Sequence, residues 1–113
     1  MAFSDSNPLK FPRRMELENG INVETISSDK NLTYTDSQVQ VLTTSGASPI
    51  VVTLPEPKNG SYFWLKCQAG STQAIHVKDA AGNNVIHTPN LGADKGAFVM
   101  CDGTNWVVVL EQT

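Results

Sequence analysis

Apolar and polar residues alternate in short runs along most of this chain. The alternation is strict in QVQVLTT (38–44), and in INVETI (21–26) it places Ile21, Val23 and Thr25 on one face. A period of two is that of a β-strand, whose side chains point alternately to opposite faces. No stretch of ten or more residues keeps a helical period free of Gly and Pro, so the pattern predicts an all-β protein. Nine strands are predicted, over residues 21–26, 31–35, 38–44, 49–55, 61–67, 73–79, 85–88, 96–101 and 105–112.

The predicted strands follow one another at intervals of roughly 8–12 residues, with turn residues between them. The clearest turn signals are the pairs Asn59-Gly60 and Asp102-Gly103, because Gly adopts the positive φ that tight hairpin turns require. This spacing is typical of a sandwich or barrel. We therefore expect a small antiparallel β-sandwich or jelly-roll-like barrel, and 113 residues are enough for one such domain.

The last predicted strand is apolar on both faces. Trp106, Val108 and Leu110 share one face, and Val107 and Val109 share the other. A strand of this kind is usually covered on both sides. We therefore expect it to lie inside the fold, close to the preceding apolar strand.

The first 20 residues differ from the rest, so we divide the chain into an extended N-terminal arm (1–20) and a β domain (21–113). Pro8 and Pro12 disfavour regular structure in the arm. Its isolated Phe and Leu side chains would gain by packing on another surface. A neighbouring subunit is the expected surface, and the alternative is that the arm folds back on its own domain.

Charge also separates the arm from the body. The net charge is −3, yet residues 1–14 carry Lys10, Arg13 and Arg14 against Asp5 alone, whereas the remainder holds five basic and ten acidic residues. The basic arm suggests docking to an acidic surface. The acidic body argues against nucleic-acid binding, which requires clustered Lys and Arg.

The sequence gives no sign of a membrane protein or of export. Apolar runs do not exceed about five residues, far below the roughly 20 that span a bilayer, and the N-terminus has no apolar core of a signal peptide. We expect maturation in the cytoplasm. Cys67 and Cys101 lie in apolar strand-like segments and are therefore expected to be buried and reduced.

Residues that could support catalysis are sparse. His76 and His87 are the only histidines, and they could meet across a hairpin, but two histidines without a matching third ligand are weak evidence for a metal site. The carboxylates are scattered singly, and no nucleophile or phosphate-binding motif is present. We predict that the protein is not an enzyme and needs no cofactor or metal.

Aromatic residues on the fifth predicted strand indicate a contact surface. Alternation places Tyr62 and Trp64 on the face of Lys66, opposite the more apolar face that begins with Phe63. The alternative is a core cluster, since most strand aromatics pack inward. The candidate protein-interface residues are Phe3, Leu9, Lys10, Phe11, Arg13, Arg14, Tyr62 and Trp64.

Five short motifs occur in an order that resembles a small β module of tailed-bacteriophage structural proteins. They are D-x-x-L-T (29–33), V-x-L-P (52–55), the Asn59-Gly60 turn, F-x-L-K (63–66) and D-G-T-x-W (102–106). The resemblance covers residues 27–110. These motifs are turn and strand patterns, so the resemblance implies a virion context and transfers no site residue.

Within that family, the resemblance is strongest to a capsid decoration (cement) protein. The chain begins with Met, is short and has no repeated or coiled-coil shaft, so we expect a stand-alone protein. The resemblance implies a homo-oligomer, with a trimer favoured, that is made in the host cytoplasm, binds the major capsid protein on the outside of the head and braces neighbouring capsomers. From the acidic body and the short apolar runs we expect no nucleic-acid or membrane partner. The alternatives are a tail fibre, baseplate or fibre-tip component and a receptor- or glycan-binding module.

Overall fold

A computed structural model describes residues 19–86 and 90–112 of the chain. These residues form eight β-strands and no helix, which confirms the all-β prediction. Seven of the nine predicted segments coincide with observed strands. The segment 31–35 shares only Asn31 with a two-residue strand, and the segment 85–88 extends beyond the described residues. The strands are β1 (Ile21–Ile26), β2 (Lys30–Asn31), β3 (Val39–Thr44), β4 (Ile50–Thr53), β5 (Tyr62–Cys67), β6 (Ile75–Lys78), β7 (Lys95–Cys101) and β8 (Trp106–Glu111).

The strands form two sheets. The large sheet has the order β1-β3-β5-β7-β8, and the small sheet has the order β2-β4-β6. From β1 to β6 the chain alternates between the sheets, so each pair of successive strands completes one coil and three coils lie side by side. The chain then turns back, and β7 and β8 extend the large sheet beside β5.

The expectation of an antiparallel sandwich is wrong for most of this architecture. β1, β3 and β5 pair in parallel, as do β2, β4 and β6, and only the β5–β7 and β7–β8 pairs are antiparallel. Alternation of apolar and polar residues indicates that a segment is a strand, but it does not determine which strand pairs with it. Parallel neighbours need a long crossover, and here the crossover is a strand in the opposite sheet. The jelly-roll alternative, which requires antiparallel strands, is not confirmed.

The hydrophobic core lies between the two sheets. Phe63 of β5 packs against Trp106 of β8, with ring centroids 5.8 Å apart, and Trp106 Nε1 donates a hydrogen bond to the Pro55 carbonyl at 3.0 Å. The core therefore holds the start of the last strand firmly. Its largest fully buried apolar side chains are Phe63, Leu42, Ile50, Leu54, Leu65, Ile75, Leu91, Val52, Val77 and Val99.

Polar side chains close the core at the first coil. Asn22 Nδ2 donates hydrogen bonds to Glu24 Oε1 at 2.9 Å and to Gln40 Oε1 at 2.8 Å, and Lys30 Nζ of the small sheet lies 2.7 Å from Glu24 Oε1. Gln40 is buried, and its Nε2 donates to the Ser37 carbonyl at 2.8 Å. Inward-pointing polar groups discourage an edge strand from pairing with another chain, so this end of the described sheets is poorly suited to further pairing.

The last strand does not lie inside the fold as expected. β8 is the edge strand of the large sheet, and Val107, Val109 and Leu110 are 45%, 56% and 61% exposed. Phe98 pairs with Leu110 whereas Val99 pairs with Val108, so a β-bulge interrupts the alternation. The bulge turns Leu110 away from the core face that Trp106 and Val108 occupy.

Both predicted tight turns are present, and they pack on each other. Gly60 and Gly103 have φ values of +86° and +99°, and the Gly60 amide donates to the Cys101 carbonyl at 2.9 Å. A Cβ at Gly103 would lie 3.3 Å from Asn59 Cβ. Asp102 Oδ1 accepts hydrogen bonds from the backbone amides of Thr104 and Asn105, at 2.9 and 2.8 Å. The two turns thus fix one end of the large sheet.

The two cysteines are buried and carry no disulfide. Cys67 pairs with Lys95 at one end of β7, and Cys101 lies at the other end, about 20 Å away at the usual rise per residue. This separation rules out a disulfide within the folded chain.

Candidate interaction surface

The two described candidate residues, Tyr62 and Trp64, lie on the outer face of the large sheet, which points away from the core. On β5 the side chains of Phe63, Leu65 and Cys67 are buried, whereas Trp64 is 45% exposed. The predicted alternation of this strand is therefore observed. The other six candidates (Phe3, Leu9, Lys10, Phe11, Arg13 and Arg14), like almost all of the proposed arm, lie outside the described residues.

Phe98 joins the two aromatic residues into one cluster. Its ring stacks on Trp64 with centroids 4.3 Å apart and planes 19° from parallel, and it meets Tyr62 edge-on at 5.9 Å. Pairs of this kind add roughly 0.5–1.5 kcal/mol beyond area burial. Phe98 pairs directly with Trp64 across the sheet, so the stack follows from strand register. The outer side of the Trp64 ring is left to solvent.

The outer face is apolar well beyond this cluster because the polarity of β1 is inverted. Ile21 and Val23 point outward and are 60% and 69% exposed, whereas Asn22 and Glu24 point toward the core end. A sheet with one buried face normally turns its apolar positions inward. The inversion therefore leaves apolar side chains on the outer face instead of in the core.

β3 repeats the inversion in milder form. Its outward residues include Val39 and Val41, while Gln40 and Thr44 are buried. One row runs straight across the sheet in register, from Ile21 through Val39, Trp64 and Phe98 to Leu110. The apolar residues of this outer face are Ile21, Val23, Val39, Val41, Tyr62, Trp64, Phe98, Met100, Val107 and Leu110, and Thr25 and Lys66 lie on the same side.

An open groove of about 750 Å³ lies along this row. Gly96 lies in its floor, where a Cβ would come within 3.0 Å of the Leu65 carbonyl oxygen. The groove's polar edge includes Lys66, whose Nζ lies 2.8 Å from Asp94 Oδ1. The hydrogen bond from Lys66 lowers the pKa of the Asp94 carboxyl. An aromatic wall beside a shallow apolar floor suits an extended apolar segment of polypeptide.

A smaller pocket of about 290 Å³ lies beyond Tyr62, at the two packed turns. The Tyr34 hydroxyl donates to the Glu56 carbonyl, burial raises the pKa of this phenol, and Lys58 Nζ lies 5.5 Å above its ring centroid. Gln38 Oε1 is buried and accepts no hydrogen bond from the residues described. The lining of this pocket is mostly polar.

The described residues contain no group of three His, Cys, Asp or Glu side chains that could hold a metal ion. His76 is half-buried on β6, and its proposed partner His87 lies outside the described residues. Over the same residues no helix is long and apolar enough to cross a membrane.

Sequence reasoning missed most of the outer face. Phe98 and Met100 stand in a run, AFVMC, that is apolar at every position, so the sequence does not indicate which side faces out. Ile21 and Val23 have ordinary strand alternation and would be assigned to the core by default. The signal that was available is that Asn22, Glu24 and Gln40 occupy the positions opposite the valines.

Comparison of the chain with models of protein families, with curated proteins and with solved structures gave no match.

Proposed function

We propose that this protein is a structural virion protein, a capsid decoration protein that docks on the outer surface of a phage head through the outer face of its large sheet. The observation that supports docking is the inverted polarity of β1 and β3, which leaves Trp64 and its apolar neighbours uncovered. The virion context rests on the motif resemblance over residues 27–110.

The size of the outer face suits one part of a larger contact. Five strands at about 4.8 Å spacing and six residues at about 3.3 Å each give a projected area of roughly 450–500 Å². This is within the range of functional patches on monomers, about 300–600 Å², but below the roughly 800 Å² that each partner buries in a stable interface. The proposed arm supplies the remaining area, and association as a homotrimer places several such faces on the shell.

The core suits a brace because it is rigid and closed. Two turns lock one end of the large sheet, and the Glu24–Lys30 and Asn22–Gln40 contacts close the first coil. A closed first coil disfavours end-to-end stacking into a long shaft. The major capsid protein is the proposed partner.

A tail fibre, baseplate or fibre-tip component is the second candidate, and the three parallel coils favour it. Coils that alternate between two sheets are built like the repeats of solenoid proteins. In that case the same outer face would contact a neighbouring fibre chain.

Immunogold labelling of purified virions that encode this chain separates the candidates. Label over the head supports decoration, label confined to the tail supports the second candidate, and unlabelled virions contradict both. Co-sedimentation of purified protein with heads then tests the surface. Trp64→Ser should lose binding, whereas His76→Ser, on the outside of the small sheet, should bind as wild type does.

A further inference from the structure

We infer that, in the free protein, the outer face is covered by the chain's own N-terminal segment, residues 1–18. This inference rests on the proposed function in one respect, that the outer face is the docking surface. It adds that, on docking, the partner's surface replaces the N-terminal segment on the outer face.

The position of the segment supports this assignment. Residue 18 precedes Asn19 and Gly20, and β1 then begins at Ile21, which is the first member of the row that carries the Trp64–Phe98 stack. The described chain therefore starts one strand away from the groove, since Ile21 pairs with Val39, which lines it. Gly20 has a φ of +67°, and Ser37 Oγ donates a hydrogen bond to its carbonyl, so this entry point is fixed on the sheet.

The length of the segment is sufficient. From β1 to β8 the large sheet spans four strand spacings, about 19 Å. About six extended residues cover that distance, and 18 residues reach up to roughly 60 Å. The segment can cross the whole face with residues to spare.

The composition of the segment suits contact with the apolar outer face. It carries Leu9 and Phe11, and then Met15 and Leu17, in two pairs two residues apart. In an extended chain, residues two apart point to the same side, so each pair can present its apolar side chains together. Glu16 and Glu18 alternate with the second pair and would point to solvent.

Covalent attachment favours the chain's own segment over that of a second copy. A tethered group has an effective concentration in the millimolar range when its linker can span the distance. Free copies reach such concentrations only in concentrated solution. An uncovered Trp beside nine further apolar residues of the outer face would also favour nonspecific association.

The test uses the full-length protein and its two tryptophans as reporters. Trp106 is buried (8% exposed), so acrylamide quenching of the fluorescence reports mainly on Trp64. The test variant replaces the four apolar residues of these two pairs: Leu9→Ser, Phe11→Ser, Met15→Ser and Leu17→Ser. The matched control replaces four polar residues of the same segment: Lys10→Ser, Arg13→Ser, Arg14→Ser and Glu16→Ser.

In dilute wild-type protein and in the matched control, Trp64 should be shielded from acrylamide. In the test variant its accessibility should rise toward that of the 45% exposed side chain, and adding Trp64→Phe should abolish the rise. Equal quenching of wild type and test variant would overturn the inference. So would shielding that disappears when wild-type protein is diluted, because the cover would then be a second copy.

A second measurement does not depend on these variants. A photoreactive phenylalanine analogue at position 11 should cross-link to the outer face within one chain, giving a product of monomer mass. Cross-links to the small sheet, or only between chains, would contradict the inference.

Binding to phage heads is measured separately. If Trp64 is never shielded but Trp64→Ser still loses binding to heads, the inference fails and the proposed function stands. If Trp64 is shielded and the wild-type protein does not bind heads, the proposed function fails instead.

Discussion

The outer faces of the two sheets differ sharply in chemistry. The large sheet presents Trp64, Phe98 and a border of exposed Val, Ile and Leu, whereas the small sheet presents residues such as Thr53, His76 and Lys78. Both faces are open in the described structure, and both cover the same core. The outside of the large sheet is the more apolar of the two, and this contrast supports the proposed contact surface.

Neighbouring residues of β5 make the same contrast within one strand. Phe63 is 2% exposed and Trp64 is 45% exposed, yet they are consecutive aromatic residues. If the comparison is correct, the first contributes to folding and the second mainly to association.

The largest effect should come from Phe63→Ala. Removing this ring leaves a cavity beside Trp106, and a buried Phe→Ala change typically costs about 3–5 kcal/mol. Trp64→Ala should cost clearly less, because the side chain is 45% exposed on the sheet and loses mainly its stack on Phe98, worth up to about 1.5 kcal/mol. Urea unfolding followed by circular dichroism measures both. Comparable losses for the two variants would break the comparison, since Trp64 would then belong to the core.

A change on the large sheet should weaken association, and a change on the small sheet should not. Truncating a central aromatic at an interface typically costs about 2–4 kcal/mol, or roughly 30- to 1,000-fold in affinity. Phe98→Ser should therefore reduce binding to particles strongly, while Thr53→Ser changes it little. Quantitative co-sedimentation over a range of protein concentrations gives the two affinities. A loss in Thr53→Ser similar to that in Phe98→Ser would move the contact surface to the other sheet.

The sequence was sufficient to predict most of the strands and both tight turns, because alternation and the Asn-Gly and Asp-Gly pairs act over a few residues. It was insufficient to predict which strands pair with each other. The Ile21–Val39–Trp64 row joins residues 18 and 25 positions apart through strands of the other sheet, and no local pattern encodes that path. The bulge between Phe98 and Val99 is similarly invisible, so the outward position of Leu110 could not be predicted.

The candidate surface was predictable only where a strand had one clearly more apolar side. This holds for β5, where Tyr62 and Trp64 lie with Lys66. On β1 the apolar set faces out, because the polar contacts of Asn22 and Glu24 occupy the end of the core. Such an inversion becomes visible only after the neighbours of the strand are known.

A valine pair tests the inversion directly. Val77 faces the core and is 0% exposed, whereas Val23 faces out and is 69% exposed. Val77→Thr buries a hydroxyl in an apolar site, which costs about 1–3 kcal/mol, whereas Val23→Thr should stay within about 0.5 kcal/mol of wild type, as surface changes usually do. Thermal unfolding compares them. If Val23→Thr is destabilised and remains as soluble as wild type, then Val23 packs into the core. In that case the outward direction of the apolar residues of β1 is wrong.

The smallest effect concerns the ion pair that closes the first coil. Hydrogen bonds from Lys30 and Asn22 lower the pKa of the Glu24 carboxyl below its usual value of 4.5. Because the folded pKa is the lower one, the stabilisation is present above pH 4.5 and is lost as the pH falls through the folded value. Glu24 and Lys30 side chains are 38% and 24% exposed, so solvent screens the pair and its contribution should be under about 1 kcal/mol.

Asp94 and Asp102 also have lowered pKa values and lose stabilisation in the same direction. The informative quantity is therefore the difference between wild type and Glu24→Gln, which keeps an oxygen for the Asn22 amide but cannot ionise. Urea unfolding at a series of pH values from neutral to acidic should show a gap between the two proteins that closes below pH 4.5. A gap that is constant with pH would show that Glu24 acts only through its hydrogen bonds, and the end of the core would then be closed without an ion pair.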